Sequence, residues 1–376
     1  MEKMVREEIL NLEAYVAGKP IDELKRELGI ERVVKMASNE NPYGCSLKAK
    51  EKLKEVIDES NLYPDSVSYE FKNFLAKEYG IEMENIFCGA GSDSLIKDIC
   101  ATFLNKDDEA IMGDITFPRY KTNTILMGGK AVEVPLKNYK LDIEKMVDRI
   151  NEKTKIIWLC NPNNPTGTIF TRAEFEKVLC RIRKNILIIM DEAYIEFKDK
   201  EVDMPDSIEL FKKHKNIMIL RTFSKAYGLA SLRFGYGIGD SKLVSYLNRV
   251  INPFDTNLFV QKAALEAFKD KEHLQYVVEK NREQKEYLER ELTKLGLECI
   301  YSQANFIMVK LNCDDKKIHE YLLSKGFIIR PGFLLGMPNY LRISIGKAAE
   351  NKEFMYNLEK ALEEIKRTKE LKENSI

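Results

Sequence analysis

From about residue 86 the chain alternates between short apolar runs of strand length and stretches with helical spacing of apolar residues. ENIFCG, EAIMGD, KAVEVPL, KIIWLC, NILIIMDEAY, NIMILRTF and RFGYGIG read as strands, and SDSLIKDICATFL and TRAEFEKVLCRIRK as helices. Runs that are apolar at nearly every position suit strands buried on both faces. The pattern therefore predicts an α/β fold, a mostly parallel sheet in a three-layer α/β/α domain. After about residue 258 the texture changes. A Lys- and Glu-rich helical stretch from Val260 to Gly296 leads to the strands FIMVKL, GFIIRPG and YLRISIG and a final charged helix, as in a smaller α+β domain. Residues 1–45 hold a helix in PIDELKRELG and the extended VVKMASNENPYG, too little for a domain. They are expected to pack on the small domain or a partner chain, with residues 46–258 and 259–376 as the two larger units. Of the rest, only the closing KELKENSI is expected to fray.

Composition narrows the function classes. The 376 residues are 44% hydrophobic and 32% charged, enough for a large core. Basic and acidic residues number 60 each, so no excess of charge points to nucleic acid or an anionic membrane. MEKMVREEIL lacks the apolar run of a secretory signal, and no stretch approaches the ~18 apolar residues of a membrane span, so a cytoplasmic location is expected. Seven scattered cysteines without a C-x-x-C predict reduced, mostly buried thiols rather than a disulfide framework or a zinc site. His214, His273 and His319 lie far apart in sequence, which gives no support to a metal or a histidine-centred triad.

In a parallel sheet ligands collect beyond the carboxyl ends of the strands, and four turns there hold unusual residues. CGAGSDS, residues 88–94, leads through Gly91 into a helix whose first N–H groups, at Ser92 and Asp93, could hold a phosphate, although such turns are also common as plain structure. NPNNPTG, residues 161–167, places Asn164 at a strand end in a turn richer in amides than a turn needs. ILIIM ends on Asp191, a carboxylate that is costly there unless an arginine or a ligand pairs with it. RTFSKAYGLASLRFGY, residues 221–236, sets Lys225 among hydroxyls and small apolar residues, its nearest charged neighbours in sequence being Arg221 and Arg233. Each turn has an ordinary structural explanation, but a common ligand accounts for all four. Pyridoxal phosphate needs an amine for a Schiff base, an acid at its ring nitrogen, donors at its phenolic oxygen and an anion site. Lys225, then Asp191, then Asn164 with Tyr194, then Ser92, Asp93, Thr222, Ser224 and Arg233 offer these in turn.

The order G-A-G-S-D, N-P-N-N-P-T-G, D-E-A-Y and S-K-A-Y-G-L-A-S-L-R-F-G-Y resembles the fold-type I pyridoxal-phosphate aminotransferases of class I/II, most closely the histidinol-phosphate aminotransferase branch. The likeness extends to A-S-N-E-N-P-Y-G (37–44), Y-P-D (63–65), I-R-P-G (329–332) and L-R-I-S-I-G (341–346), nearly the whole chain. It implies that Phe117 stacks on the cofactor ring and that Tyr63 reaches the phosphate of a partner subunit, hence a homodimer with shared sites. It implies that Arg342 pairs with a substrate carboxylate, that Arg330 and Tyr15 contact a distal substrate phosphate, and that Asn39 and Asn164 belong to the substrate pocket. A strand with Leu341, Ile343 and Ile345 facing a core and Arg342 facing water is the competing reading. The implied reaction is ping-pong transfer from histidinol phosphate to 2-oxoglutarate, with Lys225 as base and Asp191 keeping the ring cationic. Lys225 then needs a pKa well below about 10.4.

Three rivals stand beside this reading. An aromatic amino acid aminotransferase uses the same site, and a threonine-phosphate decarboxylase the same cofactor. A NAD-dependent dehydrogenase would use G-A-G with Asp114, but Ser94 replaces the third glycine, and Asp191, Asn164 and Lys225 would have no task. Cys45 and Ser94 depart from the residues common in the resembled branch and leave the donor open.

Overall fold

The structure, a computed structural model, describes residues 4–10, 12–14 and 18–373. Tyr15 lies outside the described residues, as do the last three residues of the tail. The final helix, Ala348–Glu373, continues into KELKENSI, where the composition predicts fraying.

Twelve strands among the described residues form two sheets: β1 (Val34–Met36), β2 (Ile86–Gly89), β3 (Glu109–Gly113), β4 (Lys130–Val134), β5 (Thr154–Cys160), β6 (Leu187–Asp191), β7 (Ile217–Thr222), β8 (Gly235–Ile238), β9 (Glu298–Ile300), β10 (Phe306–Lys310), β11 (Phe327–Pro331) and β12 (Tyr340–Ser344). The larger sheet has the order β2-β8-β7-β6-β5-β3-β4, parallel except for β8, which runs antiparallel to both neighbours. Its apolar runs have the cause the pattern implies. Ile157 and Leu159 of β5, Ile188 and Met190 of β6, and Ile217 and Ile219 of β7 enter one core with Phe71, Phe175 and Val260. The alternate residues Trp158, Ile189, Met218 and Leu220 enter a second core with Ile96, Ile99 and Tyr120. With helices on both faces, neither set of side chains can be polar.

The smaller sheet has the order β1-β11-β12-β10-β9, so the extended N-terminal segment becomes an edge strand, parallel to β11. Val34 and Met36 share its core with Leu288, Leu292, Ile307, Ile343 and Phe354. The long charged stretch is two helices, Leu258–Lys269 and Lys271–Lys294, separated at Asp270, whose carboxylate accepts the His273 N–H that opens the second. The first of these buries Val260, Ala263, Ala264 and Phe268 in the larger unit's core, so the change in texture near residue 258 precedes the change of packing partner by one helix. Among the seven cysteines, all free, only Cys88, Cys100 and Cys160 are buried. Cys45, Cys299 and Cys313 are half-buried and Cys180 is exposed, which corrects the expectation of mostly buried thiols. Within the described residues no helix is long and apolar enough to cross a membrane, and no cluster of His, Cys, Asp or Glu could hold a metal ion.

Candidate active site

Parallel register sets Cys160, the last residue of β5, against Asp191 of β6, and Asp191 against Leu220 of β7, so the turns after the three strands open on the same edge of the sheet. A cavity of about 410 Å3 lies there, roofed by residues 37–40 after β1 and by Arg330 and Arg342 from the smaller sheet.

Lys225 is half-buried in this cavity, and its Nζ donates to the Ser38 carbonyl at 2.8 Å. Burial, reinforced by the positive charges of Arg342 and Arg233 and opposed by Glu40, pulls its pKa down to about 7. Arg221, its neighbour in sequence, points elsewhere: it pairs at 2.8 Å with Glu192 and donates to the Tyr79 hydroxyl.

Asp191 is 2% exposed. Its Oδ2 accepts from the Tyr120 hydroxyl at 2.5 Å and its Oδ1 from the Ala193 N–H at 3.2 Å. Burial raises its pKa to about 6 against these hydrogen bonds. Within the chain the partner is thus not an arginine but a neutral tyrosine, Tyr120, which stacks on Trp158 with centroids 4.7 Å apart. Sequence reading missed Tyr120. Nothing in ITFPRY sets it apart from any other aromatic in a first helical turn. Phe117 lines the cavity and meets Tyr120 edge-on at 5.7 Å.

Two of the three asparagines in NPNNPTG are scaffolding. Asn161 bonds to the Phe170 backbone through both ends of its amide, and Asn163 bonds to Thr116, Ile115 and Thr166. Asn164 lines the cavity, and its Oδ1 accepts from Arg342 Nη1 at 2.6 Å. Tyr194 is buried, which pushes its pKa up, and its hydroxyl accepts from Asn39 Nδ2 at 3.0 Å. Asn39, at φ 56°, is otherwise tied to the small sheet: its N–H donates to Ser344 Oγ at 2.8 Å, and that hydroxyl donates to Asn39 Oδ1.

The other end is built from glycines and hydroxyls. Gly89 of β2 and Thr222 of β7 both pair with Gly235 of β8, which brings the first and fourth turns side by side. A Cβ on Gly91, at φ 89°, would come 2.6 Å from Arg233 Nη2, and one on Gly235 would come 2.4 Å from the Ser92 nitrogen, so neither position accepts a side chain without displacement. Thr222 Oγ1 donates to Ser224 Oγ at 3.0 Å, and both line the cavity with Ser92, Asp93 and Arg233.

Arg330 and Arg342 are register partners on β11 and β12, each 7% exposed, and both line the cavity. Leu341, Ile343 and Ile345 do face the core, but the opposite face of β12 meets the cavity rather than open water. Arg342 Nη2 donates to the Ala37 carbonyl at 2.6 Å. Tyr63 is the outlier: it is 83% exposed and stacks on Phe254 at 4.6 Å, outside its own chain's cavity.

The donor set suits pyridoxal phosphate. A buried acid whose partners are two neutral donors stands ready for a protonated ring nitrogen, a lysine of lowered pKa shares its cavity, and hydroxyls with an arginine meet a helix start.

Comparison with known proteins agrees with this chemistry. The family described as aminotransferase class I and II matches residues 31–358. Histidinol-phosphate aminotransferase 2 of Carboxydothermus hydrogenoformans is 42% identical over 360 residues, 96% of this chain and 99% of that one. The histidinol-phosphate aminotransferase of Caldicellulosiruptor saccharolyticus is 43% identical over 96% of this chain and 100% of its own. Among solved structures, histidinol-phosphate aminotransferase from Sinorhizobium meliloti in complex with pyridoxal-5'-phosphate superposes with a TM-score of 0.86 at 25% identity, covering 97% of this chain and 98% of that one.

Proposed function

This chain belongs to the class I and II aminotransferases, and we propose that within them it transfers the amino group of histidinol phosphate to 2-oxoglutarate, with pyridoxal phosphate held on Lys225. The observation that carries the reading is the shared cavity of Lys225, at a pKa of about 7, and Asp191, a buried acid bonded, among the described residues, only to neutral donors. Bound there, pyridoxal phosphate supplies the electron sink and the carbon that carries the amino group between half-reactions.

The roles of the residues follow from their settings. Lys225 would take the proton from the donor α-carbon and give it back on the far side of the amino nitrogen, two atoms away. Near neutrality its amine is unprotonated part of the time, whereas a lysine at about 10.4 would keep its own proton. Asp191 holds a proton on the ring nitrogen, since a cation there compensates its buried charge. Asn164 and Tyr194 bind the phenolic oxygen, and Phe117 covers the ring. Gly91 leaves room for Arg233, which binds the phosphate with Thr222, Ser224 and the N–H groups of Ser92 and Asp93. Arg342 and Arg330 grip the anionic groups of donor and acceptor through planar guanidinium forks, with Asn39 beside them. Tyr63 serves the site of a second copy. Its 83% exposure and its stacking on Phe254 support a homodimer, for which the cytoplasm is the proposed setting.

An adjoining space of about 570 Å3 shares Arg330 and Arg342 with the cavity and has apolar walls at Leu12, Ile125, Phe333 and Leu335. Such walls discriminate weakly between rings, so phenylalanine and tyrosine are the donors to compare. The purified protein is expected to be yellow, and histidinol phosphate should bleach it with formation of the corresponding keto phosphate far faster than phenylalanine or tyrosine does. Equal rates would replace the donor by an aromatic amino acid, and carbon dioxide release from threonine phosphate would replace transfer by decarboxylation.

A further inference from the structure

The helix Arg119–Leu126 starts on the cavity wall, and its first two residues reach opposite ends of the site. Tyr120 donates to Asp191, as described. Arg119 Nε donates to Asp93 Oδ1 at 2.6 Å. Asp93 is the second residue of the helix Ser92–Phe103 and lines the cavity beside Ser92 and Arg233, at the proposed phosphate site. A carboxylate in a first helical turn favours the helix through the positive end of its dipole. The same charge faces the place where a phosphate monoester would bring roughly 1.5 to 2 negative charges of its own. Two anions meeting at a partly buried site repel, and an uncompensated Asp93 carboxylate would work against the attraction that the helix N–H groups and Arg233 offer the phosphate.

We propose that Arg119 is a positioning residue for the cofactor: it cancels the charge of Asp93 and holds that carboxylate aside, so the phosphate-binding turn keeps a helix-favouring acid without repelling the phosphate. The inference rests on the pyridoxal-phosphate reading above. Arg119 acts through Asp93, and this separates it from a residue that touches the phosphate directly or merely ties two helices together.

The test uses full-length protein freed of cofactor, with pyridoxal phosphate binding followed by visible absorbance, inorganic phosphate binding by calorimetry, and melting of each unloaded variant recorded alongside. R119A should weaken both ligands about tenfold, by an amount that shrinks with added salt, and R119K by no more than about threefold. D93N keeps the backbone N–H and removes the charge, so the double variant R119A/D93N should return to within about twofold of wild type. Unchanged binding in R119A, or a double variant as weak as R119A, would overturn the proposal. So would a loss of melting temperature in R119A that tracks its weakened binding and persists in the double variant, since a structural tie behaves that way. Wild-type protein that fails to take up pyridoxal phosphate overturns the functional reading and this inference together. Normal uptake and the expected rescue without turnover of histidinol phosphate overturn only the donor assignment.

Discussion

Asp191 and Glu192 are adjacent, each 2% exposed, and they end in opposite electrostatic settings. Behind the sheet, Glu192 has a complete set of partners: Arg221 at 2.8 Å and the Ser207 hydroxyl at 2.5 Å. On the cavity side, Asp191 has, among the described residues, only the Tyr120 hydroxyl and a backbone N–H. A buried acid paired with a cation is finished as a structural element. One satisfied only by neutral donors still gains from a cation brought in from outside, and burial meanwhile lifts its pKa to about 6. Two of the three basic residues of the stretch 221–236, Arg221 and Lys225, divide the same way. Arg221 belongs to the closed ion pair, while Lys225 faces the cavity at a pKa of about 7 with a carbonyl as partner. Depth of burial therefore does not separate framework from site here. The presence or absence of a countercharge does.

Substitutions test that distinction. Lys225→Ala should lower kcat by about a thousandfold or more and abolish covalent cofactor attachment, read by absorbance and by mass after reduction with borohydride. Asp191→Asn should cost about a hundredfold in kcat while leaving unloaded-protein stability equal or higher, since it removes a buried charge without orphaning a cation. Glu192→Gln reverses the pattern: about 3 kcal/mol of stability lost in urea titrations as Arg221 loses its partner, with cofactor uptake retained by the folded fraction. If the two acids gave the same phenotype, the distinction would fail. Tyr120→Phe is milder, about tenfold in kcat, and it should move the acid limb of the pH profile upward, because the lost hydrogen bond favoured the ionised carboxylate.

A last test is the pH dependence of unloaded-protein stability. Lys225 falls from 10.5 to about 7 on folding, so between those values the unfolded chain binds more protons and stability rises with pH. Asp191 rises from 3.8 to about 6, so between those values the folded chain binds more protons and stability falls as pH increases. Each slope should vanish in the matching variant, Lys225→Met or Asp191→Asn, and a slope that survives would assign it to another group.

Much of this was legible along the chain. The inner strands of the larger sheet show as nearly unbroken apolar runs because both of their faces are covered, and their ends show as changes to glycine, asparagine and charge. Tyr63 and Tyr120 mark the edge of that legibility. Tyr63 has no place in its own chain's cavity, and Tyr120 looks like any aromatic on a helix. The three asparagines of NPNNPTG read alike, yet the fold uses two as scaffolding and turns one to the cavity.

The order of residues settles the sheet, the turns that carry chemistry and the class of ligand they suit, since apolar spacing and turn composition act over a few neighbours. Which acid keeps a cation, which arginine turns to the cavity and which tyrosine holds the cavity carboxylate wait on contacts between distant segments. Tyr120 and Asp191 are 71 residues apart, Asn164 and Arg342 178, and Ser38 and Lys225 187. Pairing across such distances is set by how two sheets and their loops close on one another, and no local pattern encodes it.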